Sequence, residues 1–252
     1  MKKIGLTILT LFLIVFLVGC KPKTTGENEA VPAANPAPTE QKAETSVQNP
    51  TKLEPPKIES KQEESLPTKA NLKMSFVPQA PYAHWDQLHE DACEEASLIV
   101  VDHFLKNTPL NSAIGEREIQ DMVAWQLKNW DGHFDLGAEQ IAQLAKDYLG
   151  YKNVKAVRNI SILDIKKEIA AGNPVIVPTA GRKLYNPNYR QPGPIYHMLV
   201  VKGYDGDKFI AMDVGTRKGY DYVYDEKVLY TAAADWQDGL KENEKVIVVI
   251  EK

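Results

Sequence analysis

Apolar spacing in this chain changes period once, and that change limits what it can fold into. From residue 93 to residue 171 the apolar residues recur at helical intervals. They read as helices over 93–106, 116–130 (Ile119, Met122, Val123 and Leu127 on one face), 137–149 and 161–171. A strand expected at 154–157 interrupts the series. From residue 174 the runs become short, apolar and β-branched, bounded by Gly, Pro, Asn and Asp. Strands are expected at 174–179, 196–204, 208–213, 222–224 and 245–250, with a helix over 226–236. Asp205-Gly206-Asp207 joins two of them as a hairpin. Helices followed by strands imply an α+β domain, its helical N-terminal part packed on an antiparallel sheet.

The folded part begins near Met74, so three segments are expected: 1–20, 21–73 and 74–252. Lys2 and Lys3 precede an apolar run from Ile4 to Val18, and the segment ends Leu17-Val18-Gly19-Cys20. A basic start, a short apolar stretch and a small residue before the cut describe a secretory signal peptide. The ending resembles a bacterial lipobox, which makes Cys20 the acylated first residue of the mature chain. Residues 21–73 hold half of the 16 prolines and no aromatic residue. Such a segment cannot offset its ordering entropy by burial. As a coil of roughly 50 residues it reaches on the order of 40 Å from a membrane. The expected location is extracytoplasmic, lipid-anchored to the bacterial cell membrane. The formal charge of -4 argues against nucleic acid as a partner.

Cys93 is the sole cysteine after residue 20, so the domain has no internal disulfide. Asp91 reads as the N-cap of its helix, and Glu94 completes a capping box. A cysteine in the first helical turn meets unpaired N–H groups and the positive end of the dipole, which favour a thiolate. A thiolate nucleophile needs a base, and the base needs an acceptor to orient it. His197 opens one strand of the hairpin, and Asp213 ends its partner sixteen residues later. His84, His89, His103 and His133 read as surface or loop residues. Neither HExxH nor paired cysteines occur, so no metal and no cofactor are expected.

Four blocks carry a family resemblance: Phe76-Val77-Pro78-Gln79-Ala80-Pro81 with Trp85; Asp91-Ala92-Cys93-Glu94-Glu95-Ala96-Ser97-Leu98; Gly193 through Tyr204, centred on Tyr196-His197-Met198; and Met212-Asp213-Val214-Gly215-Thr216-Arg217-Lys218-Gly219. Together, over about residues 74–252, they resemble the papain-fold cysteine peptidases related to the bacteriocin-processing (double-glycine leader) peptidases. The resemblance implies a papain-like fold, with Cys93 as nucleophile, His197 as general base and acid, and Asp213 as orienting residue. It also implies Gln79 beside the Cys93 N–H in the oxyanion hole. Gln87, six residues before Cys93, is the alternative to Gln79. The processing peptidases carry Cys-Gly at the nucleophile, where this chain has Glu94.

The expected function is hydrolysis of peptide or isopeptide bonds by a monomer through an acyl-enzyme. The substrate would be a peptide or protein outside the membrane, cell-wall peptide included. Acyl transfer to another amine would use the same residues. The alternative is a papain-fold surface module that binds peptide or protein without turnover. Trp85, Tyr185, Tyr189 and Tyr196 either line a substrate cleft or pack loops.

Overall fold

The structure, a computed structural model, describes residues 66–251. The expected signal peptide, Cys20 and the expected tether up to residue 65 lie outside the described residues. Among the described residues, no helix is long and apolar enough to cross a membrane.

The elements are β1 (Lys69–Asn71), α1 (Gln87–Glu90), α2 (Cys93–Lys106), α3 (Ser112–Asn129), α4 (Ala138–Asp147), β2 (Val154–Arg158), α5 (Ile162–Ala170), β3 (Val175–Ala180), β4 (Tyr196–Asp205), β5 (Lys208–Met212), β6 (Tyr222–Asp225), α6 (Glu226–Ala232), β7 (Asp235–Trp236), β8 (Leu240–Lys241) and β9 (Val246–Ile250). One 7-stranded antiparallel sheet runs β2-β9-β3-β4-β5-β6, with β1 pairing β4 beyond the end of β3; β7 and β8 form a separate ribbon. The architecture is α+β and papain-like.

Both faces of the sheet are covered. Ile176, Met198, Val200, Met212, Val246 and Val248 point into a core built with α2, α3 and α4. Val175, Val177, Leu199, Val201, Ile247 and Val249 point the other way, into a core with α5 and α6. That is why β3, β4 and β9 read as unbroken apolar runs: with both faces dry, alternation has no polar side to show. The sequence anticipates a helical part on the sheet. The second helical layer is an addition to that expectation.

Several boundaries differ. Residues 69–71, assigned to the tether, form β1, and the Leu72 N–H donates to the Lys202 carbonyl at 2.9 Å. The stretch before Cys93, for which the sequence suggests no helix, contains α1, capped by Asp86, whose side chain accepts the His89 N–H. Asp91 is the C-cap of that helix, so it is not free to cap α2. The N-cap of α2 is Ala92, with no side-chain cap bond, and the expected capping box does not form. α3 starts at Ser112 with Asn111 as its cap, and α6 ends at Ala232 because Asp235 and Trp236 join β7.

Candidate active site

Three pieces of backbone converge at one end of the sheet. α2 brings Cys93 as its first residue. β4 brings His197 as its second. The chain leaving β5 brings Asp213. β4 and β5 pair antiparallel with a bulge between Val201 and Gly203, and Val200 opposite Met212 sets the ends bearing His197 and Asp213 side by side. Gly215 follows because nothing larger fits: a Cβ there would stand 2.7 Å from His197 Cε1. A cleft of about 1160 Å³ opens over this point, walled by Gln79, Trp85, Cys93, Asp135, residues 187–194, Tyr196, His197 and residues 215–218.

His197 Nε2 lies 2.9 Å from Asp213 Oδ1, and both side chains are buried. The other ring nitrogen, Nδ1, is thereby left for a different partner. Asp213 is held by more than the imidazole. Its Oδ1 also accepts the Gly215 N–H at 3.1 Å, and its Oδ2 accepts Asn186 Nδ2 at 2.9 Å, the Tyr189 hydroxyl at 2.6 Å and the Tyr224 hydroxyl. Burial pushes the Asp213 carboxyl up, but the His197 charge and these donors outweigh it and hold the group below the usual carboxylate range. An ionised Asp213 fixes the imidazole's orientation.

Cys93 Sγ accepts the Met198 N–H at 3.3 Å, so the sulfur sits against the peptide that follows His197. The thiol donates to Glu94 Oε2 at 3.0 Å, and among the described residues no hydrogen bond joins it to His197. Burial pushes the Cys93 thiol well above its ordinary value, and the neighbouring Glu94 raises it further. The helix start therefore does not deliver a resting thiolate. Desolvation and an adjacent carboxyl exceed what one helix terminus supplies. Glu94, expected as a cap, is fully buried with its other oxygen on the Leu136 N–H at 3.0 Å. Burial, with the Glu95 charge beside it, raises Glu94 well above the carboxylate range.

Gln79 lines the cleft and its side-chain amide donates to the carbonyls of His89, at 2.8 Å, and Glu90, at 3.2 Å. Gln87 is exposed, is spent on Asp91 at 2.8 Å, and does not line the cleft. The Cys93 N–H has no backbone partner of its own helix, as any first helical residue.

Trp85, Tyr189 and Tyr196 line the cleft, whereas Tyr185 is 79% exposed and does not. Of the remaining histidines, His84 is exposed. His89 and His103 are buried, the first between Asp86 and Glu116 and the second between Thr108 and Glu118. They were expected at the surface; both hold helices together instead. His133 lies 3.5 Å from the buried Glu95. Among the described residues, no cluster of His, Cys, Asp and Glu is arranged to hold a metal ion. Asn186 and Tyr224 escaped sequence reasoning. Each is an ordinary loop or strand residue until the chain is folded, and no local pattern marks it.

Comparison with known proteins gives a family. Among curated proteins none matches the chain. Two of the solved structures similar to the chain are the following. One is a protein from Bacillus anthracis described as a C39-like peptidase (15% identity, TM-score 0.43, covering 73% of this chain and 98% of that one). The other is xylellain, a cysteine protease from Xylella fastidiosa (16% identity, TM-score 0.38, covering 75% of this chain and 87% of that one). The model of the Peptidase C39 like family matches residues 74–239, the span that holds Gln79, Cys93, His197 and Asp213. The chain belongs to the Peptidase C39 like family.

Proposed function

We propose that this protein is a lipid-anchored, extracytoplasmic cysteine peptidase that hydrolyses peptide or isopeptide bonds through Cys93, His197 and Asp213. The observation that supports it most is the cleft floor. Cys93 and His197 both line it, Sγ is 3.3 Å from the nitrogen of the residue after His197, and Asp213 lies behind the ring, 2.9 Å from Nε2.

The chemistry follows from the atoms available. His197 Nδ1 takes the thiol proton while the sulfur attacks the carbonyl carbon. The electron pair displaced from the C=O bond moves onto oxygen. The Cys93 N–H and the Gln79 amide are the donors for that oxyanion, with Gln79 exchanging a backbone carbonyl for it. His197 then protonates the leaving nitrogen as the C–N bond breaks, giving a thioester and an amine. Water attacks the thioester, His197 accepts its proton, and the thiol is released with the acid product. The raised thiol means that proton removal and attack belong to one step, in contrast to attack from a preformed ion pair.

The anchoring part of the proposal rests on Lys2, Lys3, the apolar run to Val18 and the Leu17-Val18-Gly19-Cys20 ending. Substrate peptides would then be those of the cell wall or of exported proteins. A thiol-directed activity probe followed by digestion of a peptide library tests the chemistry. Wild type labels and cleaves, and Cys93→Ala and His197→Ala do neither. Labelling without any cleavage would indicate a binding module. Metabolic labelling with a fatty acid, lost in Cys20→Ser, tests the anchor.

A further inference from the structure

The mechanism above makes no use of Glu94, whose carboxyl touches the nucleophile. Its Oε2 lies 3.0 Å from Cys93 Sγ, and its Oε1 accepts the Leu136 N–H at 3.0 Å. The titratable groups that act on it are Cys93 and Glu95 from its own helix and Asp135 from the loop before α4. Tyr196, at the start of β4, faces it from the sheet. Asp135 is in turn faced by Asp91 and His133. No cation is among the groups acting directly on Glu94, and a buried carboxylate without one is costly. The carboxyl therefore holds its proton above the usual carboxylate range. With Oε1 occupied by an N–H, its proton belongs on Oε2, the oxygen at the sulfur.

The pair thus holds two protons, one on sulfur and one on carboxyl. After one is lost, the other stays on either atom, and the two forms differ in reactivity. Carboxylate with thiol is inert. Carboxylic acid with thiolate is nucleophilic, the sulfur then accepting both the Glu94 O–H and the Met198 N–H.

We propose that Cys93 and Glu94 form a proton-sharing pair in which Glu94 gates the nucleophile. At rest the Cys93 S–H donates to Glu94 Oε2, and once the carboxyl has ionised its charge keeps the sulfur a thiol. As His197 Nδ1 removes the thiol proton, the Glu94 O–H turns to the sulfur and supports the developing charge. The S–H bond breaks, its proton goes to the imidazole, the sulfur pair forms the C–S bond, and the Glu94 O–H bond stays intact. The catalytic part of this statement rests on the peptidase reading; the pairing itself does not.

The test uses the full chain carrying Cys20→Ser, so that Cys93 is its sole thiol, with iodoacetamide alkylation followed against pH. In Glu94→Gln an amide that donates but cannot ionise replaces the carboxyl. Its alkylation midpoint falls by at least about one unit, because in the parent the thiol must ionise beside a carboxylate. Glu94→Met, with neither charge nor donor, reacts more slowly than Glu94→Gln. A Glu94→Gln profile that superimposes on the parent's, or a midpoint that rises, overturns the pair. A measurement on the unmutated Glu94 guards against misfolded variants: the parent shows an infrared S–H stretch at neutral pH that vanishes on alkylation. Its absence at neutral pH also overturns the proposal. A parent that cleaves no peptide but shows the Gln shift removes the peptidase reading and leaves the pair standing. An active parent with no shift does the reverse.

Discussion

At the residue scale, the site depends on one missing side chain. Gly215 lies where a Cβ would press on His197 at Cε1, 2.7 Å away, and at Nε2, 3.0 Å away. Gly215→Ala should tilt the imidazole off Asp213 while leaving the fold intact. We expect a loss of about 10- to 100-fold in kcat/KM with a melting temperature close to the parent's, since misplacements of this size are costly to catalysis. Asp213→Asn should lower kcat by a larger factor, because an amide at that point loses the charge that the imidazolium needs. The sequence showed these residues unevenly. The convergence of Cys93, His197 and Asp213 was legible because a cysteine, a histidine and an aspartate at element ends are distinctive types. Glu94 was misread, since an acidic residue three places after Asp91 has the pattern of a capping box whether or not the helix starts there. What decided it was burial, which no local spacing reports. Asn186 and Tyr224 converge on Asp213 from distant loops and strands, so nothing near them in the chain announces the role.

At the element scale, the β4–β5 hairpin was legible from two apolar runs about a Gly turn. β1 was not. Its three residues are polar or small, and they become a strand only because β4 extends past the end of β3 and leaves an unpaired edge. That short strand has a use. Lys202 is buried, and its ammonium is held by Asn71 Oδ1 at 2.7 Å, the Leu72 carbonyl at 2.8 Å and Asp221 at 2.7 Å. Asn71→Ala should therefore cost about 1–3 kcal/mol in denaturant unfolding, the range for leaving a buried polar group short of a partner. Alkylation of Cys93 should be unaffected, since β1 lies at the far end of β4 from His197. α1 was missed for a related reason: Asp86 is an ordinary cap, but a four-residue helix offers no periodicity to detect.

For the whole molecule, pH acts on stability through carboxyls buried in opposite ways. Burial, with the Asp91 charge adding to it and His133 opposing, raises Asp135 to about 6. A carboxyl raised on folding favours the folded state below its ordinary value, and that contribution is lost as pH rises through the folded value. The melting temperature of the parent, relative to Asp135→Asn, should thus fall between about pH 4 and about pH 7. The partly open setting screens the effect to on the order of 1 kcal/mol. Asp213 runs the other way: held below the ordinary range, it favours folding above that range and loses this as pH falls through its folded value. One further feature reaches from the groove to the chemistry. Asn186 and Tyr189 grip Asp213, and the chain from residue 187 to residue 194 walls the cleft. A guest that strains this wall pulls on the very acid that steadies the ring. Under the proposed peptidase function, ill-fitting peptides should therefore lose turnover before they lose grip, selection resting on alignment more than on affinity.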